Sequence, residues 1–144
     1  MAENKNYKSF VGKRKEAVAR LRLYEHGLPT VVDMEIKKGD IIVNGKKAEV
    51  YFGGIVAKAT YEEPLKITNT LGKYTLMVKI VGGGTKSQLE AFIHAVSKGL
   101  SSLDEKSKHI LKKKGFLTRD ARVRERRKVG MGGKSRRKRQ SPKR

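Results

Sequence analysis

The sequence predicts an α+β body over residues 1–117 followed by an extended basic tail over residues 118–144. Three observations predict it: strand-like alternation near the N-terminus, one strongly amphipathic helical stretch in the second half, and the placement of charge. The chain has 144 residues, with 35 Lys plus Arg against 14 Asp plus Glu, a formal net charge of +21. Residues 112–144 hold 16 basic and 2 acidic residues, net +14. Two thirds of the excess therefore sits in the last quarter of the chain, the mark of a folded body with a basic extension. A length of this order fits one domain, at roughly 100–200 residues each.

Taken in order, Ala17, Ala19, Leu21 and Leu23 alternate with Val18, Arg20, Arg22 and Tyr24. Period two predicts a strand over 16–24 with one buried face and one basic face in solvent. His26, Gly27 and Pro29 end it. Val32, Met34 and Ile36 alternate with Asp33, Glu35 and Lys37, Lys38-Gly39-Asp40 is a turn signal, and Ile41-Ile42-Val43 follows. Residues 31–37 and 40–44 are thus expected to pair as a hairpin. Asn44-Gly45 breaks the chain. Residues 46–60 read as helix, weakened by Gly53-Gly54, and Pro64 blocks its continuation. Residues 66–71 read as a short strand. Residues 74–81 form a fuller one, with Leu76, Val78 and Ile80 inward and Gly82-Gly83-Gly84 closing it.

The strongest helical signal follows. Leu89, Phe92, Ile93, Val96, Leu100 and Leu103 recur at spacings of three and four, with Glu90, His94, Ser97, Lys98 and Ser101 opposite them. Ser102 and Glu105 have capping-box spacing for a further helix through Lys114. Gly115 stands where a C-terminal cap belongs, after a last turn of three lysines. From residue 118 to 144 the large apolar residues are Val123, Val129 and Met131. Such a segment cannot bury enough surface to offset its ordering entropy, so it is expected to be extended until it meets a partner.

Several functional classes are disfavoured. There are no cysteines, which excludes a disulfide scaffold or thiolate metal site and suits a reducing compartment. Residues 1–12 lack the apolar core of a signal peptide, and no run approaches the ~20 apolar residues of a membrane span. Gly82-Gly83-Gly84-Thr85-Lys86-Ser87 joins a strand to a helix, but a phosphate loop needs Gly where Thr85 stands. Gly133-Lys134-Ser135 fails at its first glycine position, which is Lys128. The triplet instead permits a tight turn or close approach, and the helix start behind it could hold one backbone phosphate of RNA. His26, His94 and His109 show no metal-ligand spacing. The carboxylates form no acid–base pair, Glu62-Glu63 reading as a surface turn, and no nucleophile elbow is present. No catalysis, cofactor or metal is expected.

The basic clusters point elsewhere. Lys13-Arg14-Lys15 leads into the first strand, and Arg20 and Arg22 continue the charge along its outer face. Arg119, Arg122, Arg124, Arg126, Arg127 and Lys128 form a second cluster, and Lys134, Arg136, Arg137, Lys138, Arg139, Lys143 and Arg144 a third. Solvated faces mix signs, whereas these runs are nearly free of acids. The planar arginine fork suits phosphate. A membrane-surface helix would need an apolar face that 118–144 lacks. No helix-turn-helix or zinc-finger pattern points to major-groove reading, and arginine-rich segments that order on RNA are a known mode. RNA is the favoured ligand. A general nucleic-acid-binding or DNA-compacting protein is the alternative, separated by which nucleic acid copurifies after a high-salt wash.

Four motifs in order resemble a family, small-subunit ribosomal protein nine in its bacterial form. They are Gly12-Lys13-Arg14-Lys15-Glu16-Ala17-Val18-Ala19-Arg20-Leu21; Ile41-Ile42-Val43-Asn44-Gly45 with Tyr51-Phe52 and Pro64-Leu65; Gly82-Gly83-Gly84-Thr85-Lys86-Ser87-Gln88 with Ala91, Ala95 and Ser97-Lys98-Gly99-Leu100; and Gly115-Phe116-Leu117-Thr118-Arg119-Asp120-Ala121-Arg122 with Glu125-Arg126-Arg127-Lys128-Val129-Gly130. The similarity covers most of residues 9–144. It implies a two-layer body with a mostly antiparallel four-stranded sheet backed by helices and a left-handed βαβ crossover, a rare hand. It implies a structural constituent of the small subunit, cytoplasmic in the ribosome, with no small-molecule substrate and no membrane.

The implied partners are ribosomal RNA of the subunit head, neighbouring ribosomal proteins, and the peptidyl-site tRNA. The tail would run through RNA toward that tRNA, with Lys143 and Arg144 at its anticodon stem-loop. Gly82, Gly83, Gly84, Lys86 and Gln88 join the three basic clusters as ribosomal-RNA contacts. Two features depart from the family pattern. Residues 27–39 are longer than the usual connection, and the chain ends Gln140-Ser141-Pro142-Lys143-Arg144 where bacterial members commonly place Phe-Ser before the terminal pair. Pro142 removes a backbone donor and fixes φ. If ~6–10 phosphates are neutralised, affinity for RNA falls ~10³–10⁵-fold between 50 and 200 mM salt, which a filter-binding titration checks.

Overall fold

The structure, a computed structural model, describes residues 7–26, 29 and 35–129. The chain runs β1 (Lys8–Arg14), β2 (Ala17–Tyr24), β3 (Ile41–Val43), β4 (Lys46–Lys47), α1 (Ala48–Phe52), α2 (Ile55–Ile67), β5 (Thr75–Val81), α3 (Thr85–Leu103) and α4 (Glu105–Lys113). The strands form one open mixed sheet in the order β1-β2-β5-β3-β4. The β1–β2, β2–β5 and β3–β4 pairs are antiparallel and the β3–β5 pair is parallel. The sheet therefore has five strands, not the expected four, within an α+β fold.

Alternation decides which face is covered. Ala17, Ala19, Leu21 and Leu23 of β2 and Leu76, Val78 and Ile80 of β5 are all buried. Against them lie Ala91, Phe92, Ala95, Val96 and Leu100 of α3. Phe92 meets the Phe52 and Tyr61 rings edge-on, with centroids 5.8 and 6.0 Å away. Ser97, expected on the solvent side of α3, is buried among these groups. Its hydroxyl donates to the Ile93 carbonyl at 2.8 Å, so one turn of the helix satisfies it internally.

The extra strands escape the alternation pattern for local reasons. In β1 the positions facing the helices are Phe10, Gly12 and Arg14, with only one large apolar side chain among them. β4 has two residues. It exists because Asn44 (φ 48°) and Gly45 (φ 77°) both take left-handed backbone, the requirement of a tight two-residue hairpin turn. Asn44-Gly45 thus pairs two strands where it was expected only to break the chain. With β5 on one edge and β4 on the other, β3 has no edge left for residues 35–37, which carry no strand. The expected hairpin is corrected accordingly; its residues 31–34 lie outside the described residues.

Three further expectations change. Pro64 sits inside α2 instead of blocking a helix, at the cost of one backbone hydrogen bond. Tyr61, Pro64 and Leu65 are all buried, and this packing outweighs the local penalty. Residues 66–71, read as a strand, complete α2 and turn back, the Thr70 amide donating to the Leu65 carbonyl at 2.9 Å. The cap of α4 is Asp104, not Ser102: its carboxylate accepts from the Lys106 and Ser107 amides at 3.3 and 3.1 Å. At the far end Gly115 (φ 80°) holds the expected place, with Phe116 N–H to the Leu111 carbonyl and Gly115 N–H to the Lys112 carbonyl closing the helix. Residues 118–129 contain no helix or strand, and residues 130–144 lie outside the described residues.

Beyond β3, the Asn44 side chain continues the ladder: its Oδ1 accepts from the Ile80 amide at 2.8 Å and its Nδ2 donates to the Ile80 carbonyl at 3.0 Å. Asn44→Ala leaves both backbone groups without these partners. It should destabilise the body by about 1–3 kcal/mol, read as a lower urea midpoint at unchanged slope.

Candidate nucleic-acid interface

Because the helices cover one face of the sheet, its alternate positions face the other way. Strand register sets Arg20 between Val11 and Lys79, and Arg22 between Ser9 and Met77. The Tyr7 ring lies 5.0 Å from the Arg22 guanidinium carbon and 5.5 Å from the Tyr24 ring, a cation–π contact that steadies the arginine. These side chains line a groove of about 950 Å³ whose lining, among the described residues, contains no carboxylate. Like charges held this close, with no counter-charge beside them, make a surface that favours a polyanion. Lys79 was not picked out from the sequence. Its outward parity was legible there, but its place beside Arg20 depends on which strand pairs with which.

The other expected contact residues divide. Lys13, Lys15, Arg20, Arg22, Lys86, Arg119, Arg124, Arg126, Arg127 and Lys128 are exposed. Arg122 is exposed and paired with Asp120 at 2.7 Å. Gln88 is engaged locally, accepting from the Tyr51 hydroxyl at 2.9 Å and donating to the Gly82 carbonyl at 3.1 Å. Gly82 and Gly83 serve close approach: a Cβ on Gly82 would lie 2.4 Å from the Glu16 carbonyl oxygen, and one on Gly83 2.9 Å from the Ala17 Cβ. Gly84 has open space around it and forms the uncapped start of α3. Arg14 is largely buried, with a side chain 13% exposed. Lys134, Arg136, Arg137, Lys138, Arg139, Lys143 and Arg144 lie outside the described residues.

His94, on α3, faces the strip where the chain leaves α4. Its Nδ1 accepts from the Lys13 amide at 3.4 Å. Burial holds its pKa below the usual imidazole value, the charges of Lys98 and Arg119 add to this, and a hydrogen bond to the Leu117 carbonyl opposes it. His94 thus sits between β1 and the segment after Gly115. Among the described residues no group of three or more His, Asp or Glu is placed to hold a metal ion, and no helix is long and apolar enough to cross a membrane.

A sheet with its core on one side and, among the described residues, cations without carboxylates on the other, continued by an arginine-rich extension, is the build of a small basic binding protein. The chain belongs to the ribosomal protein S9/S16 family, whose model matches residues 12–144. It is 42% identical over 130 residues to the small ribosomal subunit protein uS9 of Maridesulfovibrio salexigens, covering 90% of this chain and 92% of the relative. It is also 43% identical over 122 residues to that of Desulfosudis oleivorans, covering 85% of each chain.

Because folding lowers the His94 pKa, the unfolded chain binds more protons as pH falls through the imidazole range, and stability is lost there. The unfolding midpoint should drop between pH 7 and pH 5, and His94→Gln should flatten that part of the profile in a thermal-melt series.

Proposed function

We propose that this chain, a structural constituent of the small ribosomal subunit, docks its body on folded ribosomal RNA of the subunit head and extends its basic C-terminal segment between RNA strands toward the peptidyl-site tRNA. The observation that carries the reading is the family match across body and tail together. The carboxylate-free groove over Arg20, Arg22 and Lys79 supports the docking half. Lys13, Lys15, Lys86 and the exposed arginines of 119–127 are further cations open to a polyanion.

The mechanism is charge neutralisation without turnover. RNA strands brought together repel, and a cationic chain between them replaces condensed counterions. The planar guanidinium donates two parallel hydrogen bonds to a phosphate and ignores base identity. Sequence-blind contact of this kind is what Lys143 and Arg144 need at a site that accepts every tRNA. That the relatives are small-subunit ribosomal proteins supports this reading, with ribosomal RNA and neighbouring ribosomal proteins as the partners.

Two variants separate the two halves. Deleting Lys143 and Arg144 should weaken retention of peptidyl-site tRNA on purified subunits while leaving assembly intact. Arg20→Glu with Arg22→Glu should instead reduce incorporation of the protein into subunits, measured by its stoichiometry in gradient-purified particles. The same defect from both, or copurification with DNA instead of ribosomal RNA after a high-salt wash, would overturn the division.

A further inference from the structure

Arg14 ends β1 with its side chain on the covered side of the sheet, against α3. Each of its three guanidinium nitrogens has an internal acceptor. Nε donates to Glu90 Oε2 on α3 at 2.5 Å, Nη2 pairs with Asp120 Oδ2 at 3.0 Å, and Nη1 donates to the Arg122 carbonyl at 2.9 Å. Asp120 in turn accepts from the Arg122 amide at 2.9 Å and from its guanidinium Nη2 at 2.7 Å. One arginine therefore joins the first strand, the long helix and the start of the basic extension.

We propose that Arg14 is a positioning residue that fixes the direction in which the basic extension leaves the body, and does not itself bind a phosphate. The sequence groups it with Lys13 and Lys15, but the geometry separates it from both, since they are exposed. A guanidinium whose nitrogens already meet two carboxylates and a carbonyl offers no free fork to RNA. The extension needs such a latch. Arg119, Arg122 and Arg124 leave a body that is itself positive, and repulsion alone would swing them away from it. Asp120 is one of only two acids in residues 112–144, and it sits where it meets Arg14 and Arg122 together. The hydrogen bonds from Arg122, followed by the charge of Arg14, hold its carboxyl well below the usual carboxylate range. His94 lies alongside on the same strip, its Nδ1 accepting from the Lys13 amide. A segment held in one direction before binding loses less freedom when it binds.

This inference rests on the RNA-binding reading only for its consequence, and the experiment has an arm that needs no RNA. Backbone ¹⁵N heteronuclear relaxation on the full free chain should show residues 118–122 as ordered as the body. Arg14→Gln should release them while the amides of Ala19 and Leu21 stay rigid. Arg14→Lys should release them too, because one ammonium cannot reach acceptors on α3 and on the extension together. Asp120→Asn, at a partly exposed carboxylate, gives the same release with the body's melting temperature unchanged, so a misfolded Arg14 variant cannot mask the result. With a transcript of small-subunit ribosomal RNA, Arg14→Gln should bind about three- to tenfold more weakly at fixed salt, through lost pre-ordering. The slope of log affinity against log salt should stay at the wild-type value. Unchanged relaxation at 118–122 in both Arg14→Gln and Asp120→Asn, or a slope reduced by about one phosphate contact, ~0.7–0.9, would overturn the proposal. Failure of the wild type to bind the transcript would overturn the RNA reading and leave the relaxation result standing.

Discussion

The close packing of α3 on the β1–β2 edge of the sheet is the constraint from which the rest of the molecule follows. A Cβ on Gly12 would lie 2.1 Å from the Ala91 carbonyl oxygen and 2.4 Å from the Ala95 amide nitrogen, so strand and helix backbones meet with nothing between them. Ala17, Ala19, Ala91 and Ala95 are the small, fully buried residues of the same contact. Interiors packed at this density transmit changes of a single methyl group. The approach also sets side chains beyond the core. It brings Arg14 within reach of Glu90, and it lets Lys98 Nζ donate to the Val11 carbonyl at 3.1 Å.

With one face of the sheet sealed, strand geometry leaves the other bare, and that separation organises the charge. The acids are placed where they offset nearby lysines: Glu49 with Lys58, Glu62 with Lys66, Glu105 with Lys108. Pairs this exposed contribute little to stability, because water and salt screen them. Their effect is on distribution. Three lysines of the helical layer are thus offset, while the lining of the groove over Arg20, Arg22 and Lys79 has no carboxylate among the described residues.

Sequence and structure agree wherever a signal is both periodic and local. Parity along 17–23 and 76–80 picked the buried side chains of β2 and β5, and the three-and-four spacing picked Phe92, Ile93, Val96 and Leu100 of α3 but not the small buried residues Ala91, Ala95, Ser97 and Gly99, while Leu89 and Leu103 are only partly buried. Gly115 was legible because a left-handed cap is a property of one residue. Other features were invisible because they depend on distant partners. β1 is a strand through its pairing with β2, not through its own alternation. Pro64 is tolerated because Phe92 and its neighbours bury the turn around it. Asp104 displaces Ser102 as cap because α3 runs on to Leu103. The partner of β3 was misjudged since a local hairpin and a non-local pairing compete for the same edge, and the loop entropy saved by a local pair is a weak guide once a core exists.

The candidate site divides the same way. By itself the sequence determined the net charge and its concentration in the last quarter, the outward parity of Arg20 and Arg22, the absence of catalytic or metal-binding spacing, and the family likeness. These are properties of composition, period and order, which survive without a fold. Only the tertiary structure decided that Lys79 stands beside Arg20, that Gln88 and Gly82 are tied to each other, and that Arg14 faces inward among carboxylates while Lys13 and Lys15 face water. The reason is physical: a basic side chain's surroundings are set by residues about 76 and 106 positions away in the chain, brought near by packing of the sheet on α3.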